Sequence, residues 1–237
     1  MEFGVLHSEK QAGKGRYPKQ ETISKFLLER LHNEAVKLSA HLCGSICRDF
    51  FKTPNRDWRI LSEFDRIQLN RNFAKDPLNS SESWDRVHEN AMTAFRPNCT
   101  GKVILQLNPN NIGAICDLLT NPNNRITRHL NLLYDHSGGR GKVLDVGRNL
   151  KLGFDQTIAN TYAAETIPGY AGGITVKNVK PMVTNLDMLY RFQKRNQFSI
   201  DMESGLRDDD DRFSVDLACQ VVRTCADAME ELYKSPV

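Results

Sequence analysis

Residues 37–43 read Lys-Leu-Ser-Ala-His-Leu-Cys, with Leu38, Ala40 and Leu42 alternating against Ser39, His41 and Cys43. Alternation at period two sends the two sets to opposite faces of a strand. A strand buried in a parallel sheet ordinarily carries apolar residues on both faces, because an interior polar group costs free energy unless it is satisfied or used. Other strand-like runs break that rule at the same place, their C-terminal ends: Gln68 and Asn70, Gln106 and Asn108, Asp135, and Asp201 with Glu203. Repeated strand–helix units alone fit either an open doubly wound sheet or a closed barrel. Polar residues gathered at strand exits favour the barrel, since they converge at its C-terminal mouth, where the active sites of such barrels lie. The fold expected is an α/β TIM (β/α)8-type barrel.

Working outward, the strand candidates are Glu2–Leu6, Lys37–Cys43, Arg66–Asn70, Val103–Asn108, Leu130–Asp135, Gly169–Ile174 and Phe198–Met202, which makes seven. Between them lie amphipathic stretches. Pro18 precedes a segment with Ile23, Phe26, Leu27 and Leu31 at helical spacing. Further helices are expected near Trp84–Phe95, at Ile112–Leu119 and at Val179–Phe192. A last helix follows Ser214 as N-cap, with Ala218, Val221, Val222, Cys225, Met229 and Leu232 on one face. Residues 142–168 are the least regular part and read as a long loop, a lid with one helical turn around Asp155–Asn160. With 237 residues, 40% of them hydrophobic, the chain can bury one substantial core, so residues 1–237 are expected to form a single barrel domain.

A formal charge of +3, with Lys and Arg dispersed, argues against nucleic acid or an anionic membrane as the partner. No apolar run approaches the roughly 18 residues of a membrane span, and no charged-then-apolar leader opens the chain. A cytoplasmic address is expected. The six cysteines form no CxxC pair and no zinc spacing, so they read as ordinary thiols, with neither metal nor cofactor expected. The partner expected is a small phosphorylated substrate or ligand, with a homodimer left open as the assembly state.

Glycine placement points to the phosphate. Gly138, Gly139 and Gly141 follow one strand exit, Gly172 and Gly173 the next, and Ser204 with Gly205 the one after. Any one of these could be a tight turn needing positive φ. Three in succession read as a cradle of backbone amides. Glu203 is out of place beside a phosphate unless it meets Arg140 or Arg207. Gln68, Asn70, Gln106, Asp201 and Glu203 are the residues expected to line the rest of the substrate site. Arg16, in the loop HSEKQAGKGRYP, could close over the mouth and meet an acidic group. The run RDDDDR at 207–212 lacks the spacing of a calcium loop and reads as a solvated turn. HLCGSIC at 41–47 reads as a strand exit, because no further Cys or His follows at ligand distance.

LLYDHSGGRG at 132–141, GYAGGITVKNV at 169–179 and FSIDMESGLR at 198–207 resemble the last three strand exits of the phosphoribosylanthranilate isomerase family. Asp135 precedes the Gly138, Gly139 and Gly141 loop as the family's Leu-Asp precedes its Gly-Gly-x-Gly. Ala171, Gly172, Gly173, Ile174, Asn178 and Val179 match the seventh family strand and its helix start. Asp201, Ser204 and Gly205 match the eighth, from which Glu203 and Arg207 depart. Gly15, Arg16 and Tyr17 echo an early loop element, and Gln68 with Leu69 a fourth-strand Gln-Leu.

The resemblance implies an isomerase of the tryptophan-biosynthesis type, carrying out an Amadori rearrangement on a phosphorylated sugar with Asp135 as general acid. It also implies that Met1–Leu6 corresponds to the family's second strand. The family's first strand, which carries its general base, then has no counterpart. Seven strands are not expected to close this barrel, and an open one would leave two bare edges, so the natural chain is expected to begin roughly 20–30 residues earlier, an extra strand recruited from 142–168 or a partner chain over the gap being the alternatives. For the missing base the candidates at neighbouring strand ends are His41, His7 and Glu203, His41 first because imidazole titrates near neutrality. A barrel that binds a phosphorylated or polyhydroxylated ligand without turning it over, or turns it over differently, is the alternative.

Overall fold

The computed structural model describes residues 2–6, 12–29, 36–53, 56–95, 102–121, 123, 125–135, 169–192 and 198–234. All seven expected strands are present: β1 (Glu2–Leu6), β2 (Lys37–Cys43), β3 (Arg66–Asn70), β4 (Val103–Leu107), β5 (Leu130–Asp135), β6 (Gly169–Ala171) and β7 (Ser199–Met202). The helices among the described residues are α1 (Gln20–Glu29), α2 (Gly44–Phe50), α3 (Trp84–Ala94), α4 (Ile112–Thr120), α5 (Val179–Phe192) and α6 (Val215–Lys234). Ser214 caps α6 as expected, its Oγ accepting from the Leu217 N–H at 3.3 Å. The sequence reading lacked α2, a short helix that follows β2 directly through Gly44 at φ 58°. The expected lid at 142–168, its turn at 155–160, and His7, Gly138, Gly139, Arg140 and Gly141 lie outside the described residues.

The strands run parallel in sequence order and close on themselves, which corrects the expectation that seven strands cannot close. β1 pairs with β2 over five residues, from Glu2↔Lys37 to Leu6↔His41, and with β7 through Glu2↔Asp201 and Phe3↔Met202. No strand edge is therefore left bare at β1. A ring of fewer strands encloses a narrower interior. Gly4 eases the fit there, because a Cβ on it would fall 2.0 Å from the His41 ring.

Two layers of side chains follow from the pleat. Outward residues of the strands, including Phe3, Val5, Leu38, Ala40, Leu42, Ile67, Leu69, Leu105, Tyr170, Ile200 and Met202, join Ile23, Phe26, Val87, Leu118, Val183 and Val221 of the helices in the main core. Inside the barrel, Ile104, Leu133 and Ala171 form a separate small apolar cluster on β4, β5 and β6. The opposite interior wall, from β7 round to β3, is polar, with Asp201, Ser39, His41 and Gln68 all buried. That division of the interior sets the chemistry of the mouth above it.

Candidate functional site at the barrel mouth

A cavity of about 560 Å³ opens at the C-terminal ends of the strands. Of the residues expected from sequence, His41, Asn70, Gln106, Asp135, Gly172, Gly173, Asp201, Glu203, Ser204 and Arg16 all line it. Gln68 sits beneath the mouth, fully buried, and its Nε2 donates to Asn70 Oδ1 at 2.7 Å. The two residues share a face of β3 at i and i+2, so Gln68 supports Asn70 rather than bridging to β4. Asn70 in turn donates through Nδ2 to Cys43 Sγ at 3.4 Å.

Ionic contacts dominate the side of the mouth formed by β7 and β2. His41 Nδ1 lies 2.9 Å from Glu203 Oε2, while its Nε2 faces Asp201 Oδ1 at 3.8 Å, too long for a direct hydrogen bond. Burial by itself would lower the His41 pKa. The Asp201 and Glu203 carboxylates outweigh it and push the value up to about 10, so the ring is an imidazolium at neutral pH. Burial would likewise raise Glu203, but His41 and Arg207 hold its carboxyl below the ordinary range. Arg207 Nη2 donates to Glu203 Oε1 and its Nη1 donates to Asp211 Oδ1 at 2.8 Å. Arg16 Nε completes the chain at 3.7 Å from Asp211 Oδ2. Charges of alternating sign thus run from the surface loop into the barrel, and Glu203 is turned from the glycine side of the mouth by its cationic partners. Cys43 adds no anion, since burial pushes its thiol up.

Backbone geometry shapes the side formed by β6 and β7. Gly172 and Gly173 adopt φ of 114° and 58°, conformations open to glycine, as β6 turns out of the barrel. Asn178 clamps that turn, its Oδ1 accepting from the Thr175 N–H at 2.7 Å and its Nδ2 donating to the Gly173 carbonyl at 2.8 Å. Gly205 does not line the cavity but lets the β7 exit pack on this turn, since its Cβ would stand 2.0 Å from the Ile174 carbonyl oxygen. Gly205→Ala is therefore expected to cost at least about 2 kcal/mol by forcing two backbones apart. Thermal unfolding measures it, and an alanine variant as stable as the parent would remove the close approach from the account.

Sequence reasoning missed Arg71 and the asparagines 72 and 110, which also line the mouth. Arg71 is anchored by a carboxylate and two carbonyls: Nη2 donates to Glu82 Oε2 and the Pro77 carbonyl at 2.8 Å each, and Nε to the Asp76 carbonyl at 2.7 Å. Its guanidinium lies 5.1 Å from the Phe51 ring centre and 5.8 Å from that of Phe73. Asn111 ties β3 to β4 by donating to the Arg71 and Gln106 carbonyls at 2.8 and 3.2 Å and accepting from the Phe73 N–H at 2.9 Å. The signal available was Arg71 directly after a strand ending in a polar residue, a position where a cation needs a reason. Among the described residues no group of three His, Cys, Asp or Glu is placed to hold a metal ion.

Fold and site together define a closed parallel α/β barrel with a charged, amide-rich pocket at the C-terminal ends of its strands. No protein-family model matches the sequence, and no curated protein does. Among solved structures, the chain is similar to phosphoribosyl anthranilate isomerase from Thermotoga maritima, at 15% identity over 95% of this chain and 88% of that one, with a TM-score of 0.48. The same enzyme from Thermus thermophilus aligns at 14% identity over 98% and 88%, TM-score 0.41. A citrate lyase from Burkholderia xenovorans aligns at 11% over 94% and 76%, TM-score 0.43. Likeness at this level concerns the fold and says nothing of activity. Among the described residues, no helix is long and apolar enough to cross a membrane.

Proposed function

We propose that the barrel binds a phosphorylated sugar at its mouth and carries out an isomerase-like proton transfer on it, with Asp135 as the acid. The observation that carries this reading is the meeting in one cavity of Asp135, buried at the end of β5, with the glycine turn of β6 and the Ser204 exit of β7. The glycine turn supplies backbone amides for the phosphate. Asn70, Gln106 and Asn108, each both donor and acceptor, suit the hydroxyls of a sugar. Asp135 lines the same mouth and is the carboxyl assigned to deliver a proton where a ring oxygen becomes a hydroxyl as a furanose opens.

His41 takes a different part from the base expected of it. Fixed between two carboxylates as a cation, it holds its proton through the neutral range, and Glu203 is tied up with it. That observation favours, as the second reading, a barrel that binds the phosphorylated ligand without turning it over.

Incubation with phosphoribosylanthranilate, following the loss of anthranilate fluorescence, separates the two, with Asp135→Asn as control. Turnover that falls by at least about 10²-fold in the variant, while affinity for the phosphorylated ligand holds, supports the acid. Equal rates in parent and variant remove Asp135 from the mechanism. Binding with no turnover in either leaves the second reading.

A further inference from the structure

Four polar atoms of the β7–β1–β2–β3 wall are buried without a hydrogen-bond partner among the described residues: Ser39 Oγ, His41 Nε2, Gln68 Oε1 and Asp201 Oδ1. Leaving such an atom unsatisfied is costly, more so where it is charged, so four together are not incidental. Two of them face each other. His41 Nε2 and Asp201 Oδ1 are 3.8 Å apart, their side chains 2% and 6% exposed, and both residues line the cavity.

The arrangement is held from both sides. Glu203 grips Nδ1 at 2.9 Å and so fixes which way Nε2 points, and Arg207 in turn holds Glu203. Gly4, between the two strands, leaves the ring its space, since any Cβ there would overlap Nε2 at 2.0 Å. A donor and an acceptor at this separation cannot satisfy each other. An oxygen standing about 2.8 Å from each would satisfy both at ordinary lengths, entering from the cavity that both residues line as the two side chains part to admit it. That oxygen must accept from Nε2–H and donate to the carboxylate, which a hydroxyl does and an ether, a carbonyl or a phosphate oxygen does not.

We propose that His41 and Asp201 form a hydroxyl-binding subsite at the floor of the mouth, which selects a ligand hydroxyl by accepting its proton at Asp201 Oδ1 and donating to its oxygen from His41 Nε2. The proposal deepens the sugar-phosphate reading and rests on it for the identity of the ligand, though not for the hydroxyl itself. Both atoms are buried, so a ligand lacking the hydroxyl leaves a donor and an acceptor without hydrogen-bond partners and is disfavoured. A sugar phosphate is then read at two ends: its phosphate by backbone amides, one hydroxyl by a fixed ion pair.

Calorimetric titration of the full chain with ribose 5-phosphate, its 2-deoxy and 3-deoxy analogues, inorganic phosphate and ribitol tests the subsite. The parent protein should bind ribose 5-phosphate at least about tenfold more tightly than one of the two deoxy analogues. Asp201→Asn and His41→Gln should each cut that preference to under about threefold while leaving inorganic phosphate affinity within about twofold. Equal affinity for all three sugar phosphates in the parent overturns the subsite, and would leave the two groups to a structural water. If no phosphorylated compound binds but ribitol does, and loses affinity in Asp201→Asn, the sugar-phosphate reading fails and the hydroxyl subsite stands. If ribitol and the sugar phosphates bind parent and variants alike, or ribitol and the sugar phosphates all fail to bind, the subsite fails. Circular dichroism of each variant, with His41→Asn as a second replacement at that position, separates lost recognition from lost fold.

Discussion

Arg71→Ala should lower the free energy of unfolding by about 3–5 kcal/mol, because it strands the Glu82 carboxylate in the interior. The side chains of Arg71 and Glu82 are 2% and 0% exposed, and Arg71 also closes the loop from Asp76 to Pro77 through two carbonyls. Glu82 has lost most of its access to water. Burial alone would raise its pKa, but the Arg71 bonds hold it below the ordinary carboxylate range, which identifies the cation as its compensation. Removing both charges, as Arg71→Met with Glu82→Gln, should cost less than Arg71→Ala alone. Denaturant unfolding of parent, single and double variants measures both. A single variant within about 1 kcal/mol of the parent, or a double variant worse than the single, would show that the pair does not bear on stability. The effect reaches the site as well, since Asn111 and the exits of β3 and β4 are keyed to the Arg71 backbone.

Stability should also depend on pH through His41, in a direction set by its carboxylate neighbours. The ring titrates near 6.5 when unfolded and near 10 when folded. Its contribution is therefore complete below about pH 6.5, declines as the unfolded chain alone sheds the proton, and is gone above about pH 10. For Glu203 the shift is downward, so its contribution is complete above its ordinary value of 4.5 and is lost as pH falls below that. Together they place the most stable range between about pH 4.5 and 6.5. The decline toward alkaline pH should have a slope approaching about 1.4 kcal/mol per pH unit, the value for one proton. Urea midpoints from about pH 5 to 8 give this slope for the parent and for His41→Gln, in which it should vanish; at higher pH the thiols of Cys43, Cys47 and Cys225, pushed up by burial, add a decline of their own. A parent curve flat from about pH 6.5 to 8 would mean that the imidazole is not held as a cation.

Period-two alternation carried the fold into view. Ser39, His41 and Cys43 on β2, and Gln68 and Asn70 on β3, occupy the inward face that their spacing implied, because the pleat leaves no other choice. Strand bounds came within a few residues, β6 being the furthest off, since its exit turns outward at Gly172 before the apolar run ends. Closure was not legible. Whether β1 meets β7 depends on pairing across nearly the whole chain, and no local spacing encodes it. Arg71 was missed for a related reason: its carboxylate partner lies eleven residues on, in a loop with no periodicity to align the two. The positions of the site residues could be read from sequence, but the protonation state of His41 could not. That state follows from Asp201 and Glu203 approaching from a strand some 160 residues away.

Gly4 has a consequence beyond giving a ring its space. β1 is joined to β7 by only two register pairs, as few as join β6 to β7 and fewer than at any other seam of the cylinder. The His41 ring, reaching over Gly4 from β2 toward Asp201 and Glu203, is a clasp laid across that seam from the inside. A side chain at position 4 would push the clasp open and loosen the hoop at one of its two thinly paired seams. The charges at the mouth and the closure of the barrel therefore share one fastening, and this chain cannot readily exchange those charges without first finding a new way to stay shut.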